Sequence, residues 1–248
     1  SDKKDSILKE ISMKLKSDII DHNNFIGGRY SVLSEVGMLP AELMGLDTMK
    51  FKKFNNLVAN KKFLNSIIIN VSNILELIKR KKFNSVILSY DETADNFLKW
   101  YQQLVAESLG KKENGIFPII SNMPKDNHSL MQLYLDGNKN NFYTFFYTKD
   151  RNYPKLNQNM IPGSLKFLKR KDLGDILYSK ILATKKVFQK KNIPFRSFFI
   201  KSKNEEVLGE LFTYFILETI LLARALKINP YDQPAVELIK IETKKLLK

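Results

Sequence analysis

The chain of 248 residues contains no cysteine, which excludes a disulfide, a thiolate zinc site and a cysteine nucleophile together. Its two histidines, His22 and His128, are too few for a histidine-rich metal centre. Acidic residues are in deficit, 26 against 41 lysines and arginines, which leaves a net charge of +15. Arginine, the fork donor that reads phosphates and base edges, is scarce beside lysine. The charge fits a solvated lysine-rich surface, or an anionic small substrate, better than a nucleic-acid interface. Long apolar runs are also scarce. The longest, "LFTYFILETILLARALKI" (Leu211 to Ile228), is interrupted by Glu218 and Arg224 and reads as a buried core helix, not a membrane span. The opening "SDKKDSILKE" has charge but no apolar stretch of a signal peptide, and no internal repeat is visible. A cytoplasmic protein without membrane or nucleic-acid partners is expected.

What is present is enough apolar and aromatic residue, 44% and 11%, for one large or two modest domains. Helical and strand patterns alternate. "KDSILKEISMKLK" (Lys4 to Lys16) is amphipathic, and "SDIIDH" reads as a short strand. Helices are expected at Ser31–Asp47, in the stretch from Phe54 to Lys82, at Asp95–Lys111, in "LGDILYSKILATKKVFQKKN", in the apolar run above and in the last seventeen residues, where Pro234 stands near the first turn. Strands are expected at "NSVILSY", "GIFPIISN", "NNFYTFFYT" and "PFRSFFIKS", with 151–172 as an excursion loop. Strands separated by helices predict an α/β fold: three layers, α-β-α, with a mainly parallel sheet whose ligands lie beyond the carboxyl ends of the strands. One helix and one short strand before "FIGGRYSVLSEVG" are too little for a sheet, so the chain reads as beginning inside a domain.

Four stretches carry chemistry. In "DNFLKWYQQLVAESLGK" (Asp95 to Lys111), Phe97, Leu98, Trp100, Tyr101, Leu104, Val105 and Leu109 fill about half a helical circumference. Glu107 then lies at the edge of the apolar stripe, half buried, with Gln103 one turn before it. Partial burial raises a carboxyl pKa, which suits a general base, although a boundary glutamate that reaches water has the same pattern. "GGRYS" sets Gly27, Gly28 and Arg29 before a helix start, a place for an anion or an oxyanion, or merely a tight turn with a surface arginine. "NHSLMQL" puts His128 near a helix N-terminus, exposed. "NPYDQPAVELIK" separates Gln233 and Lys240 by seven residues, two turns on one helix face.

In this order and at these separations, "GGRYS", "QQLVAESLGK", "HSLMQL" and "NPYDQPAVELIK" resemble the glucose-6-phosphate isomerase (phosphoglucose isomerase) family, from about Phe25 to the C-terminus. The resemblance implies two sugar-isomerase (SIS) domains, the end of one at residues 1–47 and a second at 48–248 with its C-terminal helix. It implies interconversion of glucose 6-phosphate and fructose 6-phosphate, a step of glycolysis and gluconeogenesis, through a cis-enediol and without cofactor. Glu107 matches the family's base, Arg29 the arginine that stabilises the enediolate, and His128 the ring-opening histidine, which reaches the neighbouring subunit's site in a homodimer. Lys240 matches the lysine that assists ring opening, Gln103 and Gln233 match glutamines lining the sugar-phosphate site, and Gly28 matches a glycine facing the ligand. Two departures stand out. The family's Ser/Thr-rich phosphate loop is not found and is expected upstream of Ser1, which would make the chain a fragment. Glu35 stands where proline or a small residue is expected. A non-catalytic sugar-phosphate-binding module and a basic nucleic-acid-binding protein are the alternative readings.

Overall fold

A computed structural model describes residues 7–23, 25–148 and 153–247. The chain divides into two compact units, Val71–Lys203 and the pair Ser1–Asn70 with Asn204–Lys248.

The Val71–Lys203 unit is built on four parallel strands, β1 (Asn84–Ser89), β2 (Phe117–Asn122), β3 (Asn141–Thr148) and β4 (Phe195–Ile200), in the order β2-β1-β3-β4. These are the four β-branched and aromatic runs expected as strands, and the fold is the parallel α/β architecture expected. Asn84 sits opposite Phe117 and Asn141, and its side-chain amide donates to Asn141 at 2.8 Å, which pins the register at the amino edge. The central strands β1 and β3 are buried along nearly their whole length, as strands covered on both faces must be.

Helices provide the crossovers. α6 (Asp95–Leu109) joins β1 to β2, α7 (Asp126–Ser129) and α8 (Met131–Asp136) join β2 to β3, and α9 (Leu173–Lys190) joins β3 to β4. On one face of the sheet Val86, Leu88, Tyr143, Phe145 and Tyr147 pack with Tyr134 of α8 and with Ile181 and Phe188 of α9. The Phe188 ring meets Tyr143 and Phe145 edge-on at 4.9 and 5.4 Å. Removing such a buried ring costs about 3–5 kcal/mol. On the other face Phe97 of α6 stacks on Phe146 at 5.9 Å. The stripe expected on α6 is the buried one: Leu98, Tyr101, Leu104, Val105 and Leu109 are all inside.

The other unit collects α1 (Ile7–Lys14), α2 (Glu35–Leu43), α3 (Thr48–Phe51), α4 (Phe54–Ala59), the first half of α5 (Lys61–Lys79), α10 (Glu205–Ala225) and α11 (Pro234–Leu246). Its centre is α10, the apolar run that reads as a core helix, with Leu211, Phe212, Phe215 and Leu222 buried. Met38, Ala41 and Phe51 cluster with Leu33 and Leu208. Gly209 permits the approach of α3, because a Cβ there would stand 2.3 Å from the Phe51 carbonyl oxygen. No helix among the described residues is long and apolar enough to cross a membrane.

Several local expectations fail. Ser17–His22 forms no strand; Ile19 and Ile20 are exposed, and β-branched residues without a pairing neighbour do not hold an extended ladder. The helices with turns between them that are expected from Ser31 onward include a 3-10 segment, Gly28–Leu33, and α2, divided at Ser34, whose hydroxyl accepts from the Val36 N–H. Helix α1 covers Ile7–Lys14 of the expected Lys4–Lys16, with 4–6 outside the described residues. The excursion expected at 151–172 contains two short 3-10 segments, Gln158–Met160 and Gly163–Leu168, and residues 151–152 lie outside the described residues.

Candidate active site

Arg29 is carried on the 3-10 segment that follows Gly27 and is buried, 5% exposed. The surface-arginine alternative for "GGRYS" is thereby corrected. Its guanidinium donates from Nη1 to Gln233 Oε1 at 2.9 Å, and from Nη2 to the carbonyls of Pro230 and Asp232 at 2.5 and 3.1 Å. The Tyr30 hydroxyl donates to the same Pro230 carbonyl at 3.1 Å, and the Tyr30 ring lies under the guanidinium at 5.2 Å. Two stretches 200 residues apart in sequence are thus joined by a planar fork that fits an amide oxygen and two carbonyls. Gly28 is exposed, and a Cβ built on it meets nothing within 4 Å, so its backbone faces open space.

Gln233 is the residue before α11, with φ −154° and ψ 62°, and Pro234 opens the helix. The two residues expected on one helix face are therefore split: Lys240 is on the helix and Gln233 is outside it. Lys240 is exposed and pairs with Glu237 at 2.6 Å.

In the sheet unit, Glu107 is half-buried on α6 as the pattern predicts, and Gln103 donates to Glu107 Oε1 at 3.0 Å. His128 is exposed on α7. Asp126, at the start of that turn, accepts from Ser121 Oγ, the Asn122 N–H and Ser129 Oγ at 2.7–2.9 Å, which fixes the turn to the end of β2. Of the two groups, His128 stands at the carboxyl edge of the sheet, where it follows β2, and Glu107 does not. A crossover helix returns antiparallel to its strands. The end of α6 comes back to the start of β2, where a Cβ on Gly115 would stand 3.2 Å from the Gly110 Cα, and Gln102 donates to the Pro118 carbonyl at 2.7 Å. Glu107 and His128 thus stand toward opposite ends of β2, on the order of 20 Å of strand apart.

At the carboxyl edge itself the structure holds a cluster that the sequence patterns do not reveal. Asp91, just past β1, accepts from Thr93 Oγ1 at 2.7 Å, from Thr148 Oγ1 at the end of β3, and from the ammonium of Lys203 at 3.0 Å. Burial pushes the Asp91 carboxyl up, but the Thr148 and Thr93 hydrogen bonds and the Lys203 charge outweigh it and hold it below the usual carboxylate range. The available signal is an aspartate directly after a strand and two residues before a threonine, an Asx-turn pattern. Among the described residues no three acidic or histidine side chains gather as a metal site would need.

These features define a parallel α/β protein with a buried, fork-bonded arginine at a Gly-Gly turn and an amide-paired glutamate on a crossover helix. The family model described as phosphoglucose isomerase matches residues 8–120. Among curated proteins, the glucose-6-phosphate isomerase of Methanocaldococcus jannaschii is 32% identical over 241 residues, 93% of this chain and 58% of that protein. The one from Mycoplasmopsis synoviae (strain 53) is 30% identical over 249 residues, 97% of this chain and 58% of that protein. The chain therefore spans under three fifths of the length of these relatives. In fold it is similar to a hypothetical protein from Thermus thermophilus, with TM-score 0.86 at 24% identity over 98% of this chain and 61% of that one. It is also similar to a glucose-6-phosphate isomerase from Chlamydia trachomatis, with TM-score 0.68 at 16% identity over 89% of this chain and 47% of that one. In sequence the chain resembles the phosphoglucose isomerase family.

Proposed function

We propose that the chain takes part in the reversible isomerisation of glucose 6-phosphate and fructose 6-phosphate, as a homodimeric cytoplasmic enzyme. Glu107 is the base: it removes the proton from C2 of the opened aldose and returns it to C1, and runs the reverse for the ketose. The electron pair left behind forms the C1=C2 bond and drives the carbonyl pair onto O1, giving the enediolate that Arg29 stabilises; O1 then takes up a proton as O2 gives one up, and C2=O forms as C1 receives the proton from Glu107. His128 and Lys240 move the protons of ring opening between O5 and the O1 or O2 hydroxyl. Gln103 and Gln233 hold sugar hydroxyls, and Gly28 lets the ligand approach its backbone. Atoms and electrons balance with no oxidant, reductant or cofactor.

The observation that carries this reading is the Arg29–Gln233 hydrogen bond at 2.9 Å. It brings into contact two residues to which the family resemblance gives roles on one substrate, from stretches 204 positions apart. The Gln103–Glu107 pair supports the base assignment, since an amide that donates to the carboxylate keeps it oriented. The distance along β2 between Glu107 and His128 supports a histidine that serves the partner subunit rather than its own.

The test is a coupled assay of fructose 6-phosphate turnover, on the 248-residue chain and on the longest natural form of the protein, each with its Glu107→Gln variant. The expected result is turnover by the longest form and a loss of about a hundredfold or more in kcat on Glu107→Gln, with the melting temperature unchanged. An inert longest form that fructose 6-phosphate does not stabilise against heat would overturn the reading. So would a Glu107→Gln variant as fast as the parent.

A further inference from the structure

The histidine that the isomerase reading does not use is His22. It lies in the irregular stretch Ser17–Asn23, half-buried, just ahead of the turn that leads into Arg29. Its Nδ1 faces the carboxylate of Glu35, and its Nε2 faces the Ile26 carbonyl oxygen at 2.9 Å. A carbonyl oxygen only accepts. The Glu35 oxygen is already an acceptor, taking the Asn23 N–H at 3.3 Å, and Glu35 is the first residue of α2, where a negative charge is favoured. With an acceptor at each ring nitrogen, both nitrogens must carry hydrogen, and the species that satisfies this geometry is the imidazolium.

The two contacts span the segment that carries Arg29. From His22 the chain turns through Asn23, whose carbonyl accepts the Ile26 N–H at 3.0 Å and whose side chain accepts the Phe25 N–H at 3.0 Å. Gly27 and Gly28 follow, and then the 3-10 segment, which is tied within itself by Tyr30 N–H to Gly27 O at 2.9 Å and by Ser31 Oγ to Gly28 O at 2.8 Å. At its far end Ser34 caps α2, and Glu35 is the next residue. His22 therefore grips one end of the segment through the Ile26 carbonyl and the other through Glu35, with Arg29 between. Glycines at 27 and 28, exposed and with no Cβ to pack, give this backbone no steric definition of its own, so its course depends on such ties. Glu35, the departure from the family pattern, has a partner in this chain.

We propose that His22 is a positioning residue, a protonated staple to Glu35 and the Ile26 carbonyl that sets the backbone carrying Arg29 and that opens when His22 loses its proton. The role in catalysis rests on the isomerase reading; the staple itself does not. Glu35 is the charged side chain that faces His22 among the described residues. The hydrogen bond to Glu35, then the one to Ile26, raise the His22 pKa above 6.5, and the Glu35 backbone N–H and His22 lower that of Glu35 below 4.5. The signs agree: the staple is closed between those two values, and it is lost as pH rises through the elevated folded pKa of His22 or falls through the depressed one of Glu35.

The chain has two histidines, so nitrogen-15 labelling with His128→Gln isolates the His22 ring. The ring is expected to titrate with a midpoint above 6.5, both nitrogens carrying hydrogen below it, and Glu35→Gln is expected to bring that midpoint down. In the enzyme assay kcat/KM is expected to fall about tenfold across that midpoint, and His22→Gln is expected to show the lowered value with no step. If His22→Gln does not fold, Glu35→Gln serves in its place, with the step moved to lower pH. A His22 midpoint at or below 6.5 overturns the proposal. So does a His22→Gln or Glu35→Gln profile equal to that of the parent, provided Arg29→Lys is impaired. An Arg29→Lys variant as active as the parent overturns the isomerase reading instead, and His22 is then decided by its titration alone.

Discussion

Arg29 and Glu107 carry opposite charges in opposite settings. Arg29 is buried, and three of the five N–H donors of its guanidinium go to Gln233 and to two carbonyls of the Pro230–Asp232 stretch. Glu107 is half-buried at the rim of α6, with Gln103 beside it and water within reach. The difference fits the two kinds of chemical work proposed for them. A group that stabilises developing charge gains from being fixed in advance, because it then spends nothing on reorganisation. A group that takes and gives back a proton must be able to reach two carbons. Rigidity built from buried hydrogen bonds therefore belongs to the cation, and partial freedom to the carboxylate.

The largest expected effect comes from breaking the rigid side. Arg29→Ala leaves the Gln233 amide oxygen and the Pro230 and Asp232 carbonyls short of donors, and a loss of about 3 kcal/mol in unfolding free energy is expected by urea denaturation. Turnover should fall with it. Arg29→Lys restores a charge but not the fork, so about half of that loss should return while kcat stays low. If Arg29→Ala is as stable as the parent, the guanidinium is not the clamp described here. On the open side, Glu107→Gln should do the reverse: kcat falls and unfolding free energy stays within about 0.5 kcal/mol, since a surface-edge residue with an amide neighbour carries little stability.

A smaller effect sharpens the same comparison inside the sheet unit, where Asp91 is a carboxylate in the opposite state to Glu107. Asp91 is buried and bonded to Thr93, Thr148 and Lys203. Asp91→Asn keeps the shape and part of the hydrogen bonding but loses the ion pair, and about 1–2 kcal/mol at pH 7 is expected, discounted because Lys203 is 40% exposed. A carboxylate held below its ordinary value gives stability that is present above the unfolded pKa and lost as pH falls through the folded one. The gap between parent and variant should therefore be constant above about pH 5 and close in acid. A gap that persists at about pH 2 would point to packing, not charge.

The same contrast explains what sequence alone yields. β1 to β4 are legible because runs such as "NSVILS" and "NFYTFFYT" carry the β-branched and aromatic residues of doubly covered strands. The half-burial of Glu107 is legible because a helix period places it at the stripe edge. The burial of Arg29 is not, because nothing near Gly27 announces acceptors about 200 residues away. The end of the sheet at which Glu107 stands depends on the direction of α6, which a local pattern does not carry. The Asp91 cluster needs the ends of β1 and β3 and a lysine past β4 to meet, and only the fold supplies that. Gln233 falls one position short of the helix that its spacing from Lys240 implies, since Pro234 makes the helix begin after it.

The smallest expected effect on stability is at Lys240, and it separates the functional assignment from structure most cleanly. Lys240 pairs with Glu237 three residues before it, both side chains being more than half exposed. Such a pair contributes about 0.5 kcal/mol or less, and α11 has no buried residue for a shortened side chain to disturb. Lys240→Ala should therefore melt within about 2 °C of the parent. If Lys240 assists ring opening, kcat must nonetheless fall, and most where the cyclic substrate predominates. Proton exchange at C1 of fructose 6-phosphate, supplied mainly as the ring, should be slowed in the same proportion, because the ring must open before the base acts. A variant that keeps both its melting temperature and its kcat leaves Lys240 as a solvated helix residue, and ring opening then falls to His128.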